Sequence, residues 1–157
     1  MNAISVQQLQ AMLPKACAWA EEQERFILAN GVALSPLQLA DARAVGVRSP
    51  ERIRLLRVEA VPLPSDPTLH EAAQLTGLIT SNSIGITLRY GIFIRHDFWG
   101  DRRLLAHEFT HTAQYERLGG ILPFLWQYLT ECVVGKYPNT PMEHEAVEAA
   151  NHVCGGS

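Results

Sequence analysis

The sequence predicts an α+β fold, with a helical N-terminal support, a small sheet, a central helix bearing an HExxH motif and a C-terminal helix rich in glutamate. Three observations predict it. Ser5, Ser35 and Asp66 stand as capping residues just ahead of apolar positions that recur at helical spacing. Two runs, residues 52–61 and 85–95, are instead rich in β-branched and aromatic residues. Gly31, Gly46, Gly77 and the pair Gly119-Gly120 stand where helices would stop.

Ser5 with Gln8 three residues on forms a capping box, and Val6, Leu9, Leu13, Ala16, Ala20 and Ile27 continue one helical face as far as Asn30. Pro14 interrupts that segment and lacks the N–H of an i to i−4 bond, so a kink or a break is expected there. Ser35-Pro36 opens a second helix, through Leu37, Leu39, Ala40 and Ala44 to Gly46. Residues 52–61, RIRLLRVEAV, alternate between Pro50 and Pro62 and read as a strand. Asp66 or Thr68 caps a short helix that ends at Gly77. Residues 85–95, GITLRYGIFIR, read as one strand or a bent pair, with Gly91 marking a bulge or a close backbone approach. A helix follows Asp101 over residues 102–118, another covers 121–134 with Pro123 in its first turn, and a last one starts near Pro141.

A chain of 157 residues with 47% hydrophobic and 18% charged residues suits one packed domain, taken as 1–157. Its net charge of -3 lacks the basic excess that nucleic acid demands. No apolar run approaches the roughly 18 residues of a membrane span, and no secretory signal is visible, so no membrane or nucleic-acid partner is expected. Cys17, Cys132 and Cys154 make an odd number without a CxxC pair, which reads as a reducing compartment, the cytoplasm.

Residues 107–111 are His107-Glu108-Phe109-Thr110-His111. On a helix the two histidines sit one turn apart on one face and both imidazoles reach one ion, with Glu108 beside the water such an ion would hold. At about 100° per residue, Leu105, Phe109, Thr112 and Glu116 form one side of this helix, and Leu104, His107, His111 and Tyr115 form another. Catalytic zinc takes three protein ligands and leaves a fourth position open. The metzincin arrangement is excluded, since Gln114 stands where a glycine and Arg117 where a third histidine would be needed. The third ligand therefore comes from elsewhere, and the segment from Met142 to Glu148 offers Glu143, His144, Glu145 and Glu148.

An HExxH followed by a separate helix bearing Glu-x-Glu-Ala resembles the gluzincin metallopeptidases, and the small chain is similar to the minigluzincins. The segment LLAHEFTHTAQYERLGG also resembles small HExxH domains found with bacterial toxin and contractile-injection loci. The resemblance covers roughly residues 84–150. It implies Zn2+ held by His107, His111 and Glu143, the glutamate that stands first in Glu-x-Glu-Ala, with Glu145, Glu148 and His144 as alternatives, and Glu108 as the general base of peptide-bond hydrolysis on a peptide or protein substrate. Val147 departs from the family pattern, where an aspartate four residues after the ligand glutamate supports a ligand histidine, so that support must come from another group. His144, Tyr115, Tyr128 and Tyr137 are the candidate donors to a developing oxyanion. The resemblance also implies that residues 85–95 bind an extended peptide by strand addition.

His96-Asp97 reads as a surface pair, and His70 and His152 as exposed. The arginines at 43, 48, 52, 54 and 57 read as solvated surface, and Trp19, Trp99 and Trp126 as core or edge anchors. The rival to an enzyme is a weak or inactive zinc-binding interaction module serving a toxin or secretion locus. Glu108 argues against it, since a structural site has no use for a base.

Overall fold

The computed structural model describes residues 4–155. The described chain runs α1 (Val6–Asn30), β1 (Val32–Ala33), α2 (Pro36–Ala44), β2 (Arg54–Val58), α3 (Pro67–Thr76), β3 (Gly85–Leu88), β4 (Gly91–Arg95), α4 (Arg102–Leu118), α5 (Ile121–Val134) and α6 (Pro141–Val153), an α+β fold. The Ser5 hydroxyl accepts from the Gln8 N–H at 3.1 Å while the Gln8 side chain accepts from the Ser5 N–H at 2.8 Å, so the first capping box forms. Asp66 caps α3, Asp101 caps α4, and Gly119 closes α4 with φ +103°. Pro14 does not break α1, which runs through it; the carbonyl that loses its partner is that of Gln10, which is exposed to water.

The run at 52–61 contributes a shorter strand than its composition predicts. Pro50–Arg52 forms a 3-10 turn, with the Ile53 N–H bonded to the Pro50 carbonyl, and pairing ends at Val58 opposite Arg95. The run at 85–95 is a pair: β3 and β4 form a hairpin that turns at Arg89-Tyr90, where Arg89 takes φ +60°. The sheet order is β1-β2-β4-β3, with β2 and β4 parallel and β3 at one edge.

Alternation along the strands assigns the faces. Leu55, Ile92 and Ile94 join Leu105, Phe109 and Ala113 of α4 and Ala42 of α2 in one core. Phe93, Ile86 and Leu88 turn the other way, into a core built with Leu13, Ala20 and Ile27 of α1 and Phe124, Leu125 and Leu129 of α5. Thr87 pairs with Ile92, so it shares the α4 face. Gly91 shares the α1 face, and a Cβ there would lie 3.0 to 3.2 Å from three carbons of Ile27. The close approach, and not a bulge, is why a glycine occupies the strand.

Gly91→Ala is therefore expected to destabilise the fold by about 1 to 3 kcal/mol through overpacking against Ile27. Denaturant unfolding of the two proteins measures it, and a loss within about 0.5 kcal/mol, the scatter of ordinary surface changes, would contradict the packing.

Candidate metal centre

α4 is buried from Leu105 to Tyr115 except at His107, and α6 packs along it. His107 and His111 face α6 one turn apart, and Glu143 in the first turn of α6 meets both. The start of α6 is itself held, because the Met142 N–H donates to the Glu131 carboxylate of α5 at 2.9 Å. His107 Nε2 lies 2.9 Å from Glu143 Oε1, and His111 Nε2 lies 3.1 Å from Glu143 Oε2. One donor atom from each residue falls within 4.8 Å of the others.

These spacings fit a small divalent ion. Bonds of about 2.0 to 2.1 Å to nitrogen and oxygen in a tetrahedron put neighbouring ligand atoms about 3.3 Å apart, close to both contacts here. Two imidazoles and one carboxylate also make the donor set that suits zinc and its first-row neighbours.

Glu143, His111 and Glu108 are each oriented from behind. The Tyr128 hydroxyl of α5 donates to Glu143 Oε2. Gln114 Oε1 faces His111 Nδ1 at 2.8 Å. The Glu108 carboxylate, 5% exposed, has the Thr87 hydroxyl of β3 at 2.7 Å from Oε1, and the same hydroxyl lies 3.0 Å from the Glu108 carbonyl. Phe124 and Tyr128 stand edge-on to the His111 ring, and Tyr115 stacks on Phe124 at 3.5 Å between centroids.

Electrostatics follow from this burial. Burial opposes charge on His111, but the hydrogen bond and charge of Glu143 outweigh it and push the ring up to about 9. Burial likewise opposes charge on Glu143, yet the hydrogen bonds from His107 and His111 hold it well below the usual carboxylate range. Burial and then the Glu143 charge push the Tyr128 phenol far up, so it donates and does not ionise. The Tyr137 phenol is raised by burial and then by the charges of Glu143 and Glu108.

The structure thus brings His107, His111 and Glu143 together, with Glu108 beside them. Glu145 turns instead to Gln114 at 2.8 Å and to Arg117 at 2.8 and 3.1 Å, while His144 and Glu148 are exposed. Of the four candidate donors, Tyr115 gives its hydroxyl to the Thr87 carbonyl, Tyr128 is engaged by Glu143 and His144 faces solvent, whereas Tyr137 lines the cavity beside the centre. Tyr115 is a packing residue, which corrects its grouping with the ligand face: at 1% exposure it lies in the α1 and α5 core. His70 is not exposed as expected; it is half-buried, with Nδ1 at 3.1 Å from the Pro64 carbonyl. His96 and Asp97 are exposed, and Asp97 pairs with Arg95.

Thr87 and Gln114 were not read from the sequence as parts of the site. Gln114 stands three residues after His111, the spacing of neighbours on a helix face, and that signal was available. Thr87 becomes visible only when the strand pairing assigns its face. Compared with protein-family models, with curated proteins and with solved structures, the chain matches none. No helix among the described residues is long and apolar enough to cross a membrane.

In the metal-free protein the His111 ring is raised from 6.5 to about 9, so its pairing stabilises below 6.5 and is lost as the pH rises through 9. Glu143 is lowered from 4.5, so its contribution is present above 4.5 and is lost in acid. The pair stabilises most between pH 4.5 and 6.5. The gap in melting temperature between metal-free wild type and Glu143→Gln should be widest in that window and narrow toward pH 9; a gap that widens with pH would sink the pairing.

Proposed function

We propose that the protein is a zinc-dependent peptide hydrolase of gluzincin type, and the observation that carries the reading is Glu108 standing beside the His107, His111 and Glu143 cluster at the wall of an apolar cavity. A divalent ion held by those three residues would polarise a scissile carbonyl and make water acidic near neutral pH. Glu108 would take a proton from the attacking water and pass it to the leaving amine. Thr87 holds the Glu108 carboxylate, and Tyr137 supplies the hydrogen bond toward the developing oxyanion.

The cavity bears on the substrate. It measures about 100 Å³ and is walled by Leu9 and Trp19 of α1, Leu69 of α3, Ile79, Ile86 of β3 and Leu125 of α5, with His107 and Glu108 at its polar end. An apolar cavity of about 150 Å³ holds benzene, so this one suits a medium aliphatic side chain next to the bond that is cut.

Strand addition at β3 is limited by what already sits on it. The Arg95 N–H bonds inward to the Ile84 carbonyl, and in an antiparallel pair every second residue then points inward, so Ile86 and Leu88 face β4 while Gly85 and Thr87 face the free edge. The Thr87 carbonyl is taken by Tyr115. An extended peptide is left with the Gly85 end, the end next to Glu108.

Zinc-loaded wild type is expected to cleave peptides with Leu or Met beside the scissile bond. Glu108→Gln should keep its zinc and lose about 10²- to 10⁴-fold in kcat. A library of such peptides left intact by zinc-loaded wild type would overturn hydrolysis and leave a zinc-binding interaction module.

A further inference from the structure

Gln114 is fully buried, at 0% exposure, and all three of its amide hydrogen bonds are made within the protein. Its nitrogen lies 3.0 Å from the Met142 carbonyl and 2.8 Å from Glu145 Oε1, both on α6. A carbonyl and a carboxylate can only accept, so the NH2 end must face α6. The amide oxygen is thereby turned to His111 Nδ1, 2.8 Å away. An amide oxygen can only accept, so Nδ1 must carry the proton. Reversing the amide would set an oxygen against two acceptors.

We infer that Gln114 is a positioning residue that keeps a proton on His111 Nδ1, so that Nε2 is the nitrogen a metal takes in exchange for its proton, and ties that ligand to the helix that supplies Glu143. The inference rests on the metal-centre reading above and assigns the orientation of one of its ligands. Without the lock, the neighbouring Glu143 carboxylate at 3.1 Å favours a proton on Nε2, the atom the metal needs. Gln114 opposes that preference from the far side of the ring. The device extends to the surface, because Arg117 grips both oxygens of Glu145 and so holds the acceptor that holds Gln114. Gln114 takes the supporting role for which Val147 has no polar group. It does so from the HExxH helix itself, three residues after the histidine it orients.

Zinc affinity, measured by competition with a chromophoric chelator, tests this without any need for activity. Gln114→Leu should bind zinc about 10- to 100-fold more weakly than wild type. Gln114→Met, close to glutamine in volume but without an amide oxygen for His111 Nδ1, should lose a similar factor. Equal affinity in either variant and wild type would overturn the inference. If the variants fail to fold, nitrogen-detected NMR of zinc-loaded wild type decides: His111 should show a proton on Nδ1 and zinc on Nε2, and the reverse assignment overturns it. Wild type that binds no zinc overturns the metal-centre reading and this inference with it, whereas zinc-binding wild type indifferent to Gln114 overturns this inference alone.

Discussion

A carboxylate buried among three helices governs this structure. Glu143 is 4% exposed, and an unpaired buried charge of that kind costs several kcal/mol after relaxation. It is offset only because α4 brings two imidazoles and α5 brings the Tyr128 hydroxyl to the two carboxylate oxygens. Those partners come from separate helices, so satisfying one carboxylate fixes how α4, α5 and α6 sit against one another. The same contacts leave one ligand atom from each of His107, His111 and Glu143 within 4.8 Å of the others. The packing that tolerates a buried acid is thus the packing that assembles the candidate metal centre.

The rest of the molecule repeats this device at smaller stakes. Glu24 of α1, buried, receives Nε and Nη2 of Arg89 and the Tyr90 N–H, which anchors the β3–β4 hairpin to α1. Glu116 of α4 receives the N–H groups of Arg48 and Ser49 and the Tyr90 hydroxyl. Asp41 of α2 receives Arg102 at the start of α4. Thr112 adds a bond from α4 to the Arg89 carbonyl at 2.6 Å. α4 is consequently held at its start, middle and end by polar contacts of defined direction, while apolar packing supplies most of the burial. A helix fixed at three points cannot rotate, and rotation would carry His107 and His111 off their common line with Glu143.

What could be read in the sequence follows from how local each feature is. The caps at Ser5, Ser35, Asp66 and Asp101 act within three residues, and all four form. His107, His111 and Glu108 are placed by the period of one helix, so their spacing alone announces them. Glu143 needed a resemblance to choose it from its neighbours, because periodicity says which residues share a face but not which face meets α4. The roles of Tyr115 and Thr87 were invisible for the same reason: each depends on the pairing of β3 with β4 and on α4 lying across that face. Pro14 misled, since a proline costs less where the carbonyl it orphans is exposed to water.

This division between local and distant contributions also separates the parts of the proposed site. His107, His111, Glu143 and the residues behind them, Gln114, Tyr128 and Glu145, all come from α4, α5 and α6, a continuous stretch joined by short loops. Half of the residues that wall the cavity come from α1, α3 and β3, among them Thr87, which orients Glu108. Under the proposed function, the C-terminal third would hold the chemistry while the N-terminal two thirds would select what reaches it. Substitutions at Leu9, Trp19 or Leu69 change the shape of the pocket without touching His107, His111 or Glu143, so the proposed specificity would vary while the candidate centre stays constant. The reverse does not hold: Glu143 cannot change without removing the partner of two imidazole Nε2 atoms and of a buried phenol.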